Sequence, residues 1–85
     1  MNAPDDLRQL SLMELFRVES ENQTATLTAG LLELERQPES SAPLEVLMRA
    51  AHSLKGAARI VGLNPAVRLA HALEDCFVAL QRGQL

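Results

Sequence analysis

Apolar positions recur along this chain at helical spacing, with no run of strand-like alternation. Leu12, Leu15 and Phe16 form one apolar patch, and Leu27, Leu31 and Leu34 form another. The stretch between them, "RVESENQTAT", is polar and offers little to a core. Ser11 and Glu14 have the spacing of a capping box, which predicts a helix start at Ser11. The pattern is read as one long helix over residues 11–37, with an N-terminal segment, residues 1–10, that either precedes this helix or forms part of it. "QPESSAP" is a loop by its Pro and Ser content, and Pro43 suits the first turn of a second helix over 43–61. Gly62 can take the left-handed conformation just past a helix end. Asn64 and Pro65 then read as N-cap and first residue of a third helix over 65–82, with Gly83 as its stop.

Three antiparallel helices joined by short loops predict an all-α, up-down bundle. Composition agrees: the chain is 47% hydrophobic, with two Phe and no Trp or Tyr, so its core must be built from Leu, Ala and Val. A net charge of −3 argues against non-specific nucleic-acid binding, which needs a positive surface. The single Cys76, set in "LEDCFVAL", cannot form an internal disulfide and reads as a core thiol. The acidic start "MNAPDDLRQL" has neither the cationic region nor the apolar run of a signal peptide, and no stretch approaches a membrane span. A cytoplasmic protein is the simplest reading. Bundles of this kind usually close with a fourth helix, so residues 11–85 read as a fragment of a longer protein. The groove left open would suit a homo-oligomer.

The second helix holds the candidate chemistry. At 100° per residue, Leu47, Ala50, Leu54, Ala57 and Val61 share one side, flanked by Val46 and Ala58. Glu45, Met48, Arg49, His52, Lys55, Gly56 and Arg59 share the other. His52 therefore lies mid-way across a solvent face, beside Lys55 and Gly56. A glycine inside a helix costs about 1 kcal/mol relative to alanine, which something on this face must offset. An exposed imidazole, a neighbouring cation suited to phosphate oxygens and a missing side chain describe a nucleophile that takes and surrenders phosphate between partners. On the third helix, Leu69, Leu73, Cys76 and Leu80 are placed in the core. Glu74 falls on a flank, where it could orient the His52 ring, and His71 falls almost opposite the core centre.

"AAHSLKGAARIVGL" resembles the phosphoacceptor helix of histidine phosphotransfer (HPt) domains, whose motif is a histidine followed by x-Leu-Lys-Gly: here His52, Leu54, Lys55 and Gly56. The similarity is greatest to the N-terminal HPt domain of CheA-type kinases, whose later His-x-x-Glu is matched by "HALE", His71 and Glu74. "KGAARIVGL", "AVRLAHALEDCF" and "QRGQL" look most like Wsp-type surface-sensing hybrid kinases. Arg59 departs from the small residue that many relatives carry there, and adds a second cation to flank the acceptor. The resemblance implies that His52 accepts a phosphoryl group on Nε2 from an ATP-dependent kinase domain of the same polypeptide. It then passes the group to an aspartate of a response-regulator receiver domain. His71 and Glu74 would position the acceptor, Lys55 and Arg59 would steady the phosphate, and Gly56 would admit the partner. For a Wsp-type protein the receivers would be one at its own C-terminus, a diguanylate cyclase regulator and a methylesterase. ATP and Mg²⁺ would belong to the kinase domain, with a further Mg²⁺ in the receiver, and no cofactor is implied for this domain. The fragment would be a phosphocarrier and not itself an enzyme.

The leading alternative is a non-catalytic helical interaction or oligomerisation module, which explains the amphipathic helices but not Gly56 beside an exposed His52. A metal site is disfavoured, because His52 and His71 lack a metal-binding spacing and Lys55 would repel a cation. A hydrolase using His52 and Glu74 lacks a paired nucleophile and a pocket.

Overall fold

A computed structural model describes residues 3–84. Three helices follow one another: α1 (Ala3–Arg36), α2 (Ala42–Ile60) and α3 (Asn64–Gln81). The first two residues of the anticipated N-terminal segment, and Leu85, lie outside the described residues. From Ala3 onward that segment is helical, so Ser11 is an interior helix residue and not a cap. The polar stretch "RVESENQTAT" does not interrupt α1, because its side chains find partners along the helix itself. Arg17 bonds Glu14 one turn back and reaches Glu21 one turn on at 2.7 Å, and the Thr26 hydroxyl donates to the Asn22 carbonyl four residues earlier.

Both later helices end on a left-handed glycine. At the end of α2, Gly62 has φ +73°, its N–H donates to the Arg59 carbonyl, and the Leu63 N–H donates to that of Ala58 at 3.0 Å. Gly83, with φ +70°, ends α3 in the same way, the Gln84 N–H reaching the Ala79 carbonyl at 2.8 Å. These paired bonds satisfy carbonyls that a helix end leaves open. Pro43 lies in the first turn of α2 and is buried. Asn64 is the first residue of α3 rather than its cap; Leu63 holds the cap position, with no side-chain bond to the helix end.

α2 is the middle helix. It packs against both α1 and α3, and among the described residues no Cα of α1 comes within 8 Å of one in α3. Leu44, Leu47 and Ala51 of α2 and Phe77 of α3 form the buried core, with Leu27, Leu34, Met48 and Leu73 packed against it. Ala50, Ala58 and Ala70 complete the tight seams. Gly30 of α1 is buried against Leu47: a Cβ at Gly30 would stand 2.8 Å from Leu47 Cδ2. The long α1 extends past the end of α2, so the molecule measures 57 × 20 × 14 Å.

Three placements on the third helix are corrected. Leu69 is 63% exposed and Leu80 is exposed as well, and Cys76 is an exposed thiol rather than a core one. The apolar arc of α3 is wider than α2 can cover. α2 takes the side bearing Ala70, Leu73 and Phe77, and leaves Leu69, Cys76 and Leu80 outside the seam. In α1, Leu15 and Leu31 are exposed for a different reason, its apolar residues not gathering on one side. Among the described residues, no helix is long and apolar enough to cross a membrane.

Candidate functional site

The site sits on the seam between α2 and α3. His52 projects from α2 with its side chain 69% exposed, and its Nδ1 lies 2.9 Å from Glu74 Oε2 on α3. The other carboxylate oxygen of Glu74 accepts a 2.6 Å bond from Lys55 Nζ, one turn along α2 from His52. Glu74 thus takes a donor on each oxygen. The Lys55 hydrogen bond holds its carboxyl below the ordinary value of 4.5, with a smaller contribution from His52 and partial burial working the other way.

An ionised carboxylate only accepts hydrogen bonds, so the proton of the neutral ring resides on Nδ1. Nε2 then carries the lone pair, on the ring edge away from Glu74. Gly56 lies one turn further along α2, and a Cβ there would meet nothing within 4 Å. No contact within the fold calls for a glycine at this position. The arrangement is a fixed, unprotonated, outward-facing nitrogen with cleared space beside it, which is what a nucleophile that must meet a large partner requires.

Two of the anticipated site residues, Lys55 and His71, stand elsewhere than the helical projection or the family pattern implied. Lys55 does not lie on the solvent face: its side chain is 13% exposed and its ammonium is committed to Glu74. The long stem lets it run beneath His52 and into the α2–α3 seam. Met48, placed on the same face by spacing, also packs against the core. His71 does not touch His52. It stays exposed, with Nε2 3.7 Å from Asp75 Oδ2 one turn on, because Glu74 occupies the side of α3 that faces α2. Arg59 is exposed and makes no ion pair among the described residues.

A shallow hollow of about 430 Å³ surrounds the ring, lined by Glu45, Met48, Arg49, His52, Ser53, Glu74 and Gln81. Neither Lys55 nor Arg59 lines it; the cation that does is Arg49, which sequence spacing places on the same arc as His52 without singling it out. Among the described residues, no group of three or more His, Cys, Asp or Glu side chains could hold a metal ion.

Residues 11–85 match the family model described as "Hpt domain". The chain belongs to the Hpt domain family. Members of this family carry phosphate and do not catalyse its transfer, so this Hpt domain is not itself an enzyme. It is 37% identical over 73 residues to the chemotaxis protein CheA of Halobacterium salinarum, an alignment covering 86% of this chain and 11% of that protein. It is 33% identical over 81 residues to the sensor histidine kinase CheAY of Helicobacter pylori, covering 95% of this chain and 10% of that one. A gliding motility regulatory protein of Myxococcus xanthus is 34% identical over 74 residues, covering 87% and 9% respectively. The chain therefore spans about a tenth of the length of these relatives. No solved structure matches it.

Proposed function

We propose that this Hpt domain is the phosphocarrier of a CheA-type chemosensory kinase, with His52 as the acceptor. The Nε2 lone pair attacks the γ-phosphorus of ATP held by a kinase domain; the P–Nε2 bond forms as the bond to the ADP oxygen breaks. Glu74 keeps the Nδ1 proton in place throughout and steadies the positive charge the ring acquires. Lys55 acts through Glu74, fixing the carboxylate that fixes the ring. A receiver aspartate then attacks the same phosphorus, and Nε2 leaves as the neutral base it was before. The observation that carries this reading is the pair of bonds on Glu74, which holds Nδ1 of an exposed His52 and leaves Nε2 on the opposite ring edge.

ATP and Mg²⁺ would be bound by the kinase domain and a second Mg²⁺ by the receiver. The "KGAARIVGL" and "AVRLAHALEDCF" stretches support a Wsp-type parent, whose receivers would be its own C-terminal domain, a diguanylate cyclase regulator and a methylesterase. The setting would be cytoplasmic, and the exposed Leu69–Leu80 side of α3 is the surface through which copies would self-associate.

The test is labelling by a CheA-type kinase domain with γ-labelled ATP. Acid-labile, base-stable label that His52→Gln abolishes is the expected result. Because His52 is exposed, that variant should keep its helical circular dichroism, and label that persists in it would remove His52 from the role. A folded wild-type chain that takes no label would favour the interaction-module alternative.

A further inference from the structure

The phosphoryl group, once on Nε2, needs a counter-cation, and Lys55 is not free to be one. Its ammonium is bound to Glu74 at 2.6 Å on the Nδ1 side of the ring, in the helix seam. Arg59 is seven residues beyond His52, which is about 10 Å along the helix axis, and it does not line the hollow around the ring. Arg49 does line it. It stands three residues before His52, at the spacing where side chains on one helix face meet.

The ring geometry fixes the direction. With Nδ1 turned to Glu74 on α3, Nε2 is on the opposite ring edge, and Arg49 and Ser53 of α2 line the hollow beside the ring. Ser53 carries no charge, so Arg49 is the cation among the residues that line the hollow. Its present partner holds it weakly: Glu45 Oε2 is 3.8 Å from the guanidinium, and the Arg49 side chain is 79% exposed. Such a pair contributes little, whereas a guanidinium can grip two phosphate oxygens at once.

We propose that Arg49 is the phosphate-holding residue of this domain, leaving Glu45 to bind the oxygens of the phosphoryl group on His52. The inference rests on the acceptor role of His52 and adds the group that receives the transferred charge. Glu45 and Glu74, the carboxylates of the hollow, face the same group and oppose it, which sharpens the need for one cation at this point.

The experiment uses phosphoramidate, a small donor that needs no docking surface: its P–N bond breaks, ammonia leaves and a P–Nε2 bond forms. The ³¹P signal that His52→Gln removes is assigned to phospho-His52 and titrated with pH. A guanidinium beside the phosphoryl group favours the dianion, so in Arg49→Gln the titration should move to higher pH by about half a pH unit at low salt. Arg49→Lys should restore most of that shift, and about 1 M salt should erase the difference. Arg59→Gln should leave the titration in place. An unmoved titration in Arg49→Gln, or an equal movement in Arg59→Gln, overturns the role of Arg49 while leaving the acceptor intact. Absence of any ³¹P signal that depends on His52 overturns the acceptor reading itself, and this inference with it.

Discussion

At the scale of single residues, the site separates groups that the fold requires from groups that it does not. Gly56 belongs to the second kind, because a Cβ there would meet nothing within 4 Å. Gly56→Ala should therefore stabilise the isolated domain, by up to about 1 kcal/mol from helix propensity alone. A bulkier residue, as in Gly56→Leu, should leave the urea midpoint near or above the wild-type value and slow phosphate exchange with a receiver at least tenfold. Transfer that continued at the wild-type rate would return the glycine to being unexplained. Glu74 yields a pH prediction. Its carboxyl is held below 4.5 by Lys55 first and His52 second. Its contribution to stability is thus fully present above 4.5, the unfolded value, and is lost as pH falls through the lower folded value. Carboxyl chemical shifts should place the Glu74 midpoint below 4.5 in the wild type, and Lys55→Gln should move it upward.

At the scale of elements, α1 and α2 are locked by an approach that only glycine permits. Leu47 is fully buried, so it cannot swing aside from a methyl group placed 2.8 Å from its Cδ2. Gly30→Ala gains about 1 kcal/mol in helix propensity and loses about 1–3 kcal/mol to overpacking. A net loss of about 1 kcal/mol is expected in chemical denaturation. The cause can be isolated with a double-mutant cycle: once Leu47→Ala has removed the obstructing methyls, Gly30→Ala should become neutral or stabilising. Additive effects would mean that the clash is not the source. The helix ends are a different matter, since the glycines at Gly62 and Gly83 need no neighbour to explain them. Their positive φ and paired backbone bonds are local, which is why both stops could be read from the sequence.

At the scale of the whole molecule, an 85-residue chain relies on a small core in which Leu47 is the one large side chain fully out of solvent among the described residues. Leu47→Ala should cost about 2–5 kcal/mol, from lost transfer energy plus the cavity left behind. Native domains have about 5–15 kcal/mol in all, so the variant should show a much lower urea midpoint and a fraction unfolded without denaturant. The elongated shape has its own cause. A radius of gyration of 15.3 Å exceeds the roughly 12 Å of a compact chain this long, because α1 outruns the helix it packs on.

The sequence by itself determined what depends on near neighbours. Helix type, the breaks around Pro43 and Gly62, the stop at Gly83 and the exposure of His52 beside Gly56 all follow from local propensity and a 3.6-residue period. What it could not determine is which part of a broad apolar arc another helix covers. Leu69, Cys76 and Leu80 have the spacing of a core face, yet α2 packs on the neighbouring arc of α3. Periodicity gives the direction of a side chain about its own helix, and burial depends on where the next axis lies. The same limit governs the site. Spacing gave Lys55 to solvent and the family pattern gave His71 to His52, whereas the α2–α3 seam turns Lys55 inward to Glu74 and leaves His71 with Asp75. Glu74 was legible as a candidate on a flank of its helix. Only the tertiary structure, by setting α3 beside α2, brought its carboxylate to the His52 ring and so decided which nitrogen stays free.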